Sequence, residues 1–154
     1  MIRIITLGKV KDKKILSIID EYLRRLQKWT KVEVLELKDE ELTKQSVPEQ
    51  LKAKEAERVN AVLEKRRGFV IALDDAGKQF DSYAFSDLIK KHEINGDIIF
   101  LIGGTIGLHE DVVKRSNLCL SFGKMTFTRD MSRMLLVEQL FRAYKINHGE
   151  GYQK

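Results

Sequence analysis

The feature that most limits the possible folds is an alternation, repeated five times, of short apolar segments with longer amphipathic ones. The apolar segments, rich in β-branched residues, are residues 2–7, 32–37, 69–73, 98–102 and 118–122. A regular alternation of strands and helices predicts a three-layer α/β fold, in which helices flank a mainly parallel sheet. No repeat, low-complexity tract or linker interrupts the pattern, so we expect residues 1–154 to form one domain.

The spacing of apolar residues places helices between these strands. The predicted helices are one that ends near Trp29, one from Ser46 to Gly68, one that starts at Ser82 or Ser86, a short one over residues 108–115, and a long one over residues 131–147. Ser46, Pro48 and Glu49 resemble a capping box at the start of the second helix. One face of that helix is densely charged and predicted to be solvated: Lys52, Lys54, Glu55, Glu57 and Arg58.

The last predicted helix is more apolar than a single contact face requires. Its apolar residues are Met131, Met134, Leu135, Leu136, Val137, Leu140, Phe141, Ala143, Tyr144 and Ile146. A helix of this composition needs cover on most sides. Burial in the core of its own chain and burial shared with a second copy, in a homodimer, both explain the pattern.

Three glycines follow the fourth apolar segment, which reads as a strand buried on both faces. Gly103, Gly104 and Gly107 permit positive φ values and close approach of the backbone. Their G-G-x-x-G spacing differs from the dinucleotide-binding fingerprint, and no lysine follows as in a phosphate-binding loop. The glycines therefore indicate either a tight turn or a ligand near the strand end.

Three strand ends carry features of a binding site. In parallel sheets, ligands bind beyond the carboxyl ends of the strands. The candidate segments are residues 73–75, 103–104 and 122–127, which offer mostly backbone groups and apolar side chains. Such loops suit a nucleoside-like ligand. Asp74 and Asp75 fit either an acid–base role or a turn, and a turn is the commoner role for such a pair.

Other classes of site have little support in the sequence. His92, His109 and His148 lie on separate predicted elements without metal-ligand spacing, so we expect no metal. The single cysteine, Cys119, lies in an apolar segment and is predicted to be a buried thiol. No G-x-S-x-G motif indicates a hydrolase, and no apolar run is long enough for a membrane span. We expect a cytoplasmic protein.

Basic residues are concentrated near the end of the chain. The formal net charge is +5, and residues 123–154 contain six Lys and Arg against three Asp and Glu. Such a cationic segment suits a polyanion such as RNA, although a solvated basic surface without a partner gives the same pattern.

Three ordered motifs carry a resemblance to a known family. They are L-I-G-G-x-x-G-L-H-x-D-V from Leu101, L-S-F-x-K-M-T-F from Leu120, and R-x-x-L-x-E-Q-x-[FY]-R-A-[FY]-K-I from Arg133. Together they resemble the RlmH family of SPOUT methyltransferases, over the whole chain. The resemblance implies that S-adenosylmethionine is used to methylate N3 of a pseudouridine in large-subunit ribosomal RNA. It also implies a homodimer with a C-terminal trefoil knot that forms the cofactor pocket.

The resemblance also implies roles for individual residues. The positions that match the family's cofactor contacts are Leu73, Gly103, Phe122, Gly123, Lys124, Met125, Thr126 and Phe127. Arg133 is the predicted catalytic cation. It either stabilises the deprotonated imide nitrogen of the base or binds an RNA phosphate. Tyr152 is predicted to stack on the base or to hydrogen-bond with it.

Two departures from the family pattern fall on the expected RNA side. Thr128-Arg129 stands where the family has Pro-His, and Gln153 stands where it has His. These changes remove two possible proton acceptors and add a permanent cation at Arg129, which we expect to bind RNA together with Arg133 and Arg142. The alternatives are a SPOUT methyltransferase of another RNA, such as tRNA, or a non-catalytic RNA-binding protein of the same fold.

Overall fold

Five strands alternate with five helices in the computed structural model of the chain, which describes residues 1–151. The elements are β1 (Ile2–Leu7), α1 (Lys13–Leu26), β2 (Val32–Leu37), α2 (Pro48–Leu63), β3 (Phe69–Gln79), α3 (Ser82–Glu93), β4 (Ile98–Ile102), α4 (Glu110–Arg115), β5 (Leu118–Ser121) and α5 (Arg129–Asn147). The strands form one sheet in the order β2-β1-β4-β3-β5, and every pair is parallel. The predicted α/β fold is confirmed.

The sheet separates two apolar layers because successive side chains of a strand point to opposite faces. Ile4 pairs in register with Phe100, and both pack in the layer of α1, α3 and α5. Ile5 pairs with Leu101, and both pack in the layer of α2 and α4. All five residues of β4 are buried, as predicted for a strand covered on both faces.

The apolar last helix is covered mostly by its own chain. α5 packs between α1 and α3, and its residues Leu136, Val137 and Leu140 are fully buried. None of its 19 residues falls in the exposed class. Core burial therefore explains most of the apolar pattern. The burial of α5 against a second copy, in a homodimer, stays a prediction.

The start of α2 differs from the predicted capping box. Val47 is the N-cap residue and makes no side-chain cap, while Pro48 occupies the first turn as predicted. The Ser46 hydroxyl oxygen instead accepts a hydrogen bond from the Thr43 backbone N–H, at 2.9 Å. The capping box was wrong because the serine closes the preceding loop, one residue too early to cap the helix.

The predicted turn at residues 74–77 is a bulge inside β3. Leu73 and Lys78 both pair with Leu120 of β5, so the four residues between them leave the ladder and the strand then resumes. An Asp74 carboxylate oxygen accepts a hydrogen bond from the Ala76 N–H at 2.9 Å, which shapes the bulge. This correction leaves both aspartates at the carboxyl edge of the sheet.

The charged face of α2 is solvated only in part. Glu55 is 2% exposed, and its carboxylate accepts a hydrogen bond from the Glu40 backbone N–H at 2.8 Å. Arg58 forms an ion pair with Glu40 and donates to the Lys38 carbonyl oxygen at 2.9 Å. Because α2 packs against the preceding loop, the prediction that Glu55 is solvated was wrong. These bonds hold the loop at residues 38–43 against α2.

We expect Glu55→Gln to stabilise the protein at neutral pH. Burial raises the pKa of the Glu55 carboxyl above its usual 4.5. The folded state therefore holds this proton more tightly than the unfolded state, and stability falls as the pH rises above about 4.5. The amide stays neutral and can still accept from Glu40. The thermal midpoint should exceed that of the wild type by about 2–4 °C at pH 7.5 and match it near pH 4.

The matched control is Glu57→Gln, an exposed carboxyl on the same helix, which should leave the midpoint unchanged at both pH values. If Glu55→Gln raised the thermal midpoint equally at both pH values, the buried charge would not be the cause of the increase.

Candidate functional site

A cavity of about 850 Å³ opens at the carboxyl edge of the sheet. Its walls include residues 73–75 of β3, residues 102–108 after β4, and most of residues 122–130 after β5. Of the eight predicted cofactor contacts, seven line this cavity, and the exception is Lys124, which is exposed. The structure thus brings the three predicted strand ends together around one space of a size typical for small-molecule sites.

The glycine turn after β4 forms one wall of the cavity. A Cβ atom at Gly103 would lie 2.7 Å from the carbonyl carbon of Gly107 and 2.7 Å from the Leu108 nitrogen. Gly107 has a φ of +80°, and its N–H donates to the Gly104 carbonyl oxygen at 3.2 Å. The glycines therefore make a tight turn, and the same turn presents bare backbone to the cavity.

The loop after β5 is fixed to the opposite wall. The Thr126 hydroxyl donates a hydrogen bond to the Asp75 carboxylate at 2.7 Å, and this bond lowers the pKa of Asp75. The Ser121 hydroxyl accepts from the Gly123 N–H at 3.0 Å. Met125 is 79% exposed and Phe127 is 39% exposed. The loop thus holds two uncovered apolar side chains beside the cavity, suited to a flat apolar ligand.

Charges of both signs line the cavity. Asp74 and Asp75 lie on the β3 wall, while Lys11 and Lys52 lie on walls contributed by other elements. The hydrogen bond from Thr126 lowers the pKa of Asp75 and so favours its ionised form further. A ligand with both a cationic and an anionic group fits this distribution.

The guanidinium of Arg129 binds its own chain at the cavity wall. It donates to the carbonyl oxygens of Leu7 at 3.0 Å and Lys9 at 2.8 Å. It also pairs with the carboxylates of Asp39 at 2.9 Å and Asp130 at 3.2 Å. The side chain is only 11% exposed. These bonds argue against the predicted contact of Arg129 with RNA, and they make it a clamp between β1, the 38–43 loop and the start of α5.

Two other predicted RNA-binding arginines lie outside the cavity wall. Arg133 is 4% exposed and donates to the Glu36 carboxylate of β2 at 2.6 Å. Arg142 pairs with Glu138 one helical turn away, at 2.6 Å. The burial of Arg133 argues against both its predicted contact with RNA phosphate and a direct catalytic role. Tyr152, the other predicted catalytic residue, lies outside the described residues, as does Gln153.

Sequence reasoning missed the contribution of the first strand to this site. Lys11 follows β1, whose carboxyl end lies at the same edge of the sheet as those of β3, β4 and β5. The rule that ligands bind at the carboxyl ends of parallel strands applies to every strand, so this segment had a usable signal. Lys52 had no such signal, because α2 packs near the cavity only in the folded chain.

The described residues 1–151 provide neither a metal site nor a membrane-spanning helix. No group of three or more His, Cys, Asp or Glu in this part of the chain could hold a metal ion. Nor does any helix there combine the length and apolar character that crossing a membrane requires. Cys119 is partly buried, and burial raises the pKa of its thiol, so it is protonated at neutral pH.

Comparison with known proteins gives consistent matches over the full chain. Residues 1–153 match the model of a family described as "Predicted SPOUT methyltransferase". A Streptococcus suis protein named ribosomal RNA large subunit methyltransferase H is 42% identical, and the alignment covers 99% of each chain. A protein of the same name from Clostridium botulinum (strain Kyoto / Type A2) is 44% identical over 99% of each chain.

Among solved structures, a probable methylase family protein from Haemophilus influenzae Rd KW20 has a similar fold. The TM-score is 0.56 at 16% identity, and the match covers 99% of this chain and 70% of the other. This similarity extends to the arrangement of strands and helices around the sheet.

Proposed function

Because this chain belongs to the SPOUT methyltransferase family, we propose that it transfers a methyl group from S-adenosylmethionine to large-subunit ribosomal RNA. The cavity at the carboxyl edge of the sheet carries this proposal, since seven of the eight residues that match the family's cofactor contacts line it. Relatives more than 40% identical over nearly the full length bear the name of an enzyme with that substrate.

The cavity has the chemistry that this cofactor needs. S-adenosylmethionine, when bound, supplies a methyl group already activated by a sulfonium charge. The glycine turn offers backbone groups for the edge of an adenine, while Met125 and Phe127 can cover its face. Asp75 provides a negative charge for the cationic end, and Lys52 provides a positive charge for the carboxylate. The residues therefore bind and orient both ends, and orientation supplies much of the rate enhancement of a group transfer.

We propose N3 of a pseudouridine as the position methylated, as the family resemblance implies. The ring nitrogen loses its proton in this reaction, so a cation near the base favours the anion that forms. Arg133 was predicted for this role, but its ion pair with Glu36 fits a positioning role at the start of α5. Tyr152 stays a prediction for contact with the base.

The direction of α5 supports a homodimer. The helix begins at the cavity and runs about 28 Å over its 19 residues. Its far end lies at the amino edge of the sheet, where Glu150 pairs with Lys28 after α1 at 2.7 Å. The described part of the chain therefore ends about a helix length away from its own cavity. We therefore propose a dimer in which each tail serves the cavity of the other copy.

This dimer has two direct tests. Sedimentation should give twice the 17.8 kDa mass of the chain. At cofactor concentrations near the wild-type Kd, mixing Gly103→Ala with Tyr152→Phe should restore methyl transfer that neither variant shows alone, because mixed dimers contain one intact site. A monomeric mass, or no restoration, would contradict the proposal.

The remaining family properties complete the proposal. We propose that the C-terminal segment forms the trefoil knot of SPOUT proteins, which the family match supports. We also propose that the protein works in the cytoplasm, where ribosomal RNA is available to it.

The function is tested by methyl transfer from labelled S-adenosylmethionine to ribosomes from a strain that lacks the gene. We expect label in one pseudouridine of the large-subunit RNA, located by digestion and mass spectrometry of the nucleosides. Label in tRNA alone would show that the substrate is tRNA and not ribosomal RNA. Cofactor binding without label in any cellular RNA would favour a non-catalytic RNA-binding protein.

A further inference from the structure

Four lysines lie at the carboxyl edge of the sheet, two in the loop after β1 and two in the first turn of α1. Lys9, Lys11, Lys13 and Lys14 lie within six positions, and all four are exposed. Lys11 also lines the cavity. We call these four residues the lysine rim.

The acidic groups near the rim are engaged by backbone N–H groups. Asp12 accepts hydrogen bonds from the N–H groups of Lys14 at 2.8 Å and Ile15 at 3.2 Å, as the N-cap of α1. Asp130 accepts from the Lys11 N–H at 3.2 Å. Among residues 1–151, the lysines that form ion pairs are Lys28, Lys52, Lys114 and Lys145. The rim therefore holds four ammonium groups without a carboxylate partner in the described part of the chain.

The position of the rim is unfavourable for the helix it begins. The N-terminus of a helix carries a partial positive charge, which acidic residues stabilise and basic residues destabilise. The first turn of α1 contains Lys13 and Lys14 and no acidic residue. α2, α4 and α5 each have at least one acidic residue in that turn, while α3 has neither an acidic residue nor a lysine there. Side chains that oppose local stability in this way are a mark of a functional surface.

The rim also differs from the arginines that the sequence singled out. Arg129 is clamped, Arg133 is buried against Glu36, and Arg142 pairs with Glu138. In the described part of the chain, the cations near the cavity that have no carboxylate partner are thus the four lysines of the rim and Lys124 of the loop after β5. Compact, hydrated ammonium groups on flexible stems suit phosphates along a strand.

We infer that the lysine rim binds the phosphates of the RNA strand whose base enters the cavity. The inference rests on the proposed function for the identity of the strand, and on the structure for the position of the charges. Phosphate contacts of this kind set register and supply affinity without reading sequence.

The test is Lys9→Gln/Lys13→Gln/Lys14→Gln, which keeps the cavity residue Lys11. The probe is a labelled single-stranded RNA of about 20 nucleotides, titrated at several salt concentrations. Three lost phosphate contacts should lower the slope of log affinity against log salt by about 2. Binding of the variant should then be about 50-fold weaker than that of the wild type at 0.15 M salt and equal to it near 1 M. The thermal midpoint should stay the same or rise, because the positive charges leave the helix N-terminus.

The matched control is Lys65→Gln/Lys90→Gln/Lys91→Gln. It makes the same change in net charge with exposed lysines at the opposite, amino edge of the sheet. It should keep the wild-type salt slope. An unchanged slope in the rim variant, or an equal loss in the control, would overturn the inference.

Methyl transfer separates this inference from the proposed function. With ribosomes as substrate, the rim variant should raise KM at least 10-fold and leave kcat and the affinity for S-adenosylmethionine unchanged. A wild-type protein that methylates no RNA would refute the proposed function, while the salt slopes would still decide whether the rim binds RNA. A loss of kcat at unchanged KM would overturn the rim as a binding surface.

Discussion

Gly103→Ala is expected to lower the affinity for S-adenosylmethionine about 10–100-fold and to remove methyl transfer at cofactor concentrations near the wild-type Kd. The added Cβ would lie 2.7 Å from two backbone atoms of Gly107 and Leu108, and 3.0 Å from the Gly107 Cα. Backbone atoms cannot rotate away as the end of a side chain can, so the turn must open. Overpacking of this kind typically costs about 1–3 kcal/mol, and the wall of the cavity moves with it. Calorimetric titration with the cofactor measures the loss.

The neighbouring glycine provides a matched control. A Cβ at Gly104 would meet the Glu55 carboxylate oxygens at 3.3 and 3.5 Å and the Leu7 Cβ at 3.5 Å, and no backbone atom is among these nearest neighbours. Gly104→Ala should therefore keep cofactor affinity within about threefold, since a side-chain carboxylate can shift by a few tenths of an ångström. Equal affinities in the two variants would show that the tight approach at Gly103 does not shape the site.

Arg129→Ala should lower the free energy of unfolding by about 2–4 kcal/mol, because a side chain that is only 11% exposed loses several charge-assisted hydrogen bonds. The change leaves the carbonyl oxygens of Leu7 and Lys9 and the carboxylate of Asp39 without their shared donor. It also releases the start of α5 from β1, so cofactor affinity should fall as well. Urea unfolding followed by circular dichroism measures the stability.

Three further variants isolate the cause. Arg25→Ala removes an arginine whose pair with Glu21 is about half exposed, and such pairs contribute less than about 1 kcal/mol. Arg129→Lys keeps the charge and loses the branched donor geometry, so it should recover only part of the stability. Arg129→Gln removes the charge, and at a temperature where this variant is folded its salt dependence of RNA binding should equal that of the wild type. A reduced slope in Arg129→Gln would restore the original prediction that this residue contacts RNA.

The sequence predicted the sheet and the place of the cavity correctly. The five strands, the buried character of β4 and the meeting of three strand ends follow from the period of apolar residues and from the geometry of parallel sheets. The need for Gly103 and Gly107 also followed from local backbone rules. The strands and the glycine turn depend on residues close together in the chain. The meeting of the strand ends follows from the parallel order of the strands, without knowledge of particular side-chain contacts.

The tertiary structure decided which charges are available to a ligand. Arg129 and Asp39 are 90 positions apart, and Arg133 and Glu36 are 97 positions apart. Glu55 became buried because a distant loop packs on it, while the lysine rim stayed exposed and unpaired at the carboxyl edge of the sheet. The sequence around a charged side chain looks the same whether that side chain is paired and buried or exposed and unpaired. Its partner comes from a part of the chain that only folding brings near, and its effect on binding depends on that partner.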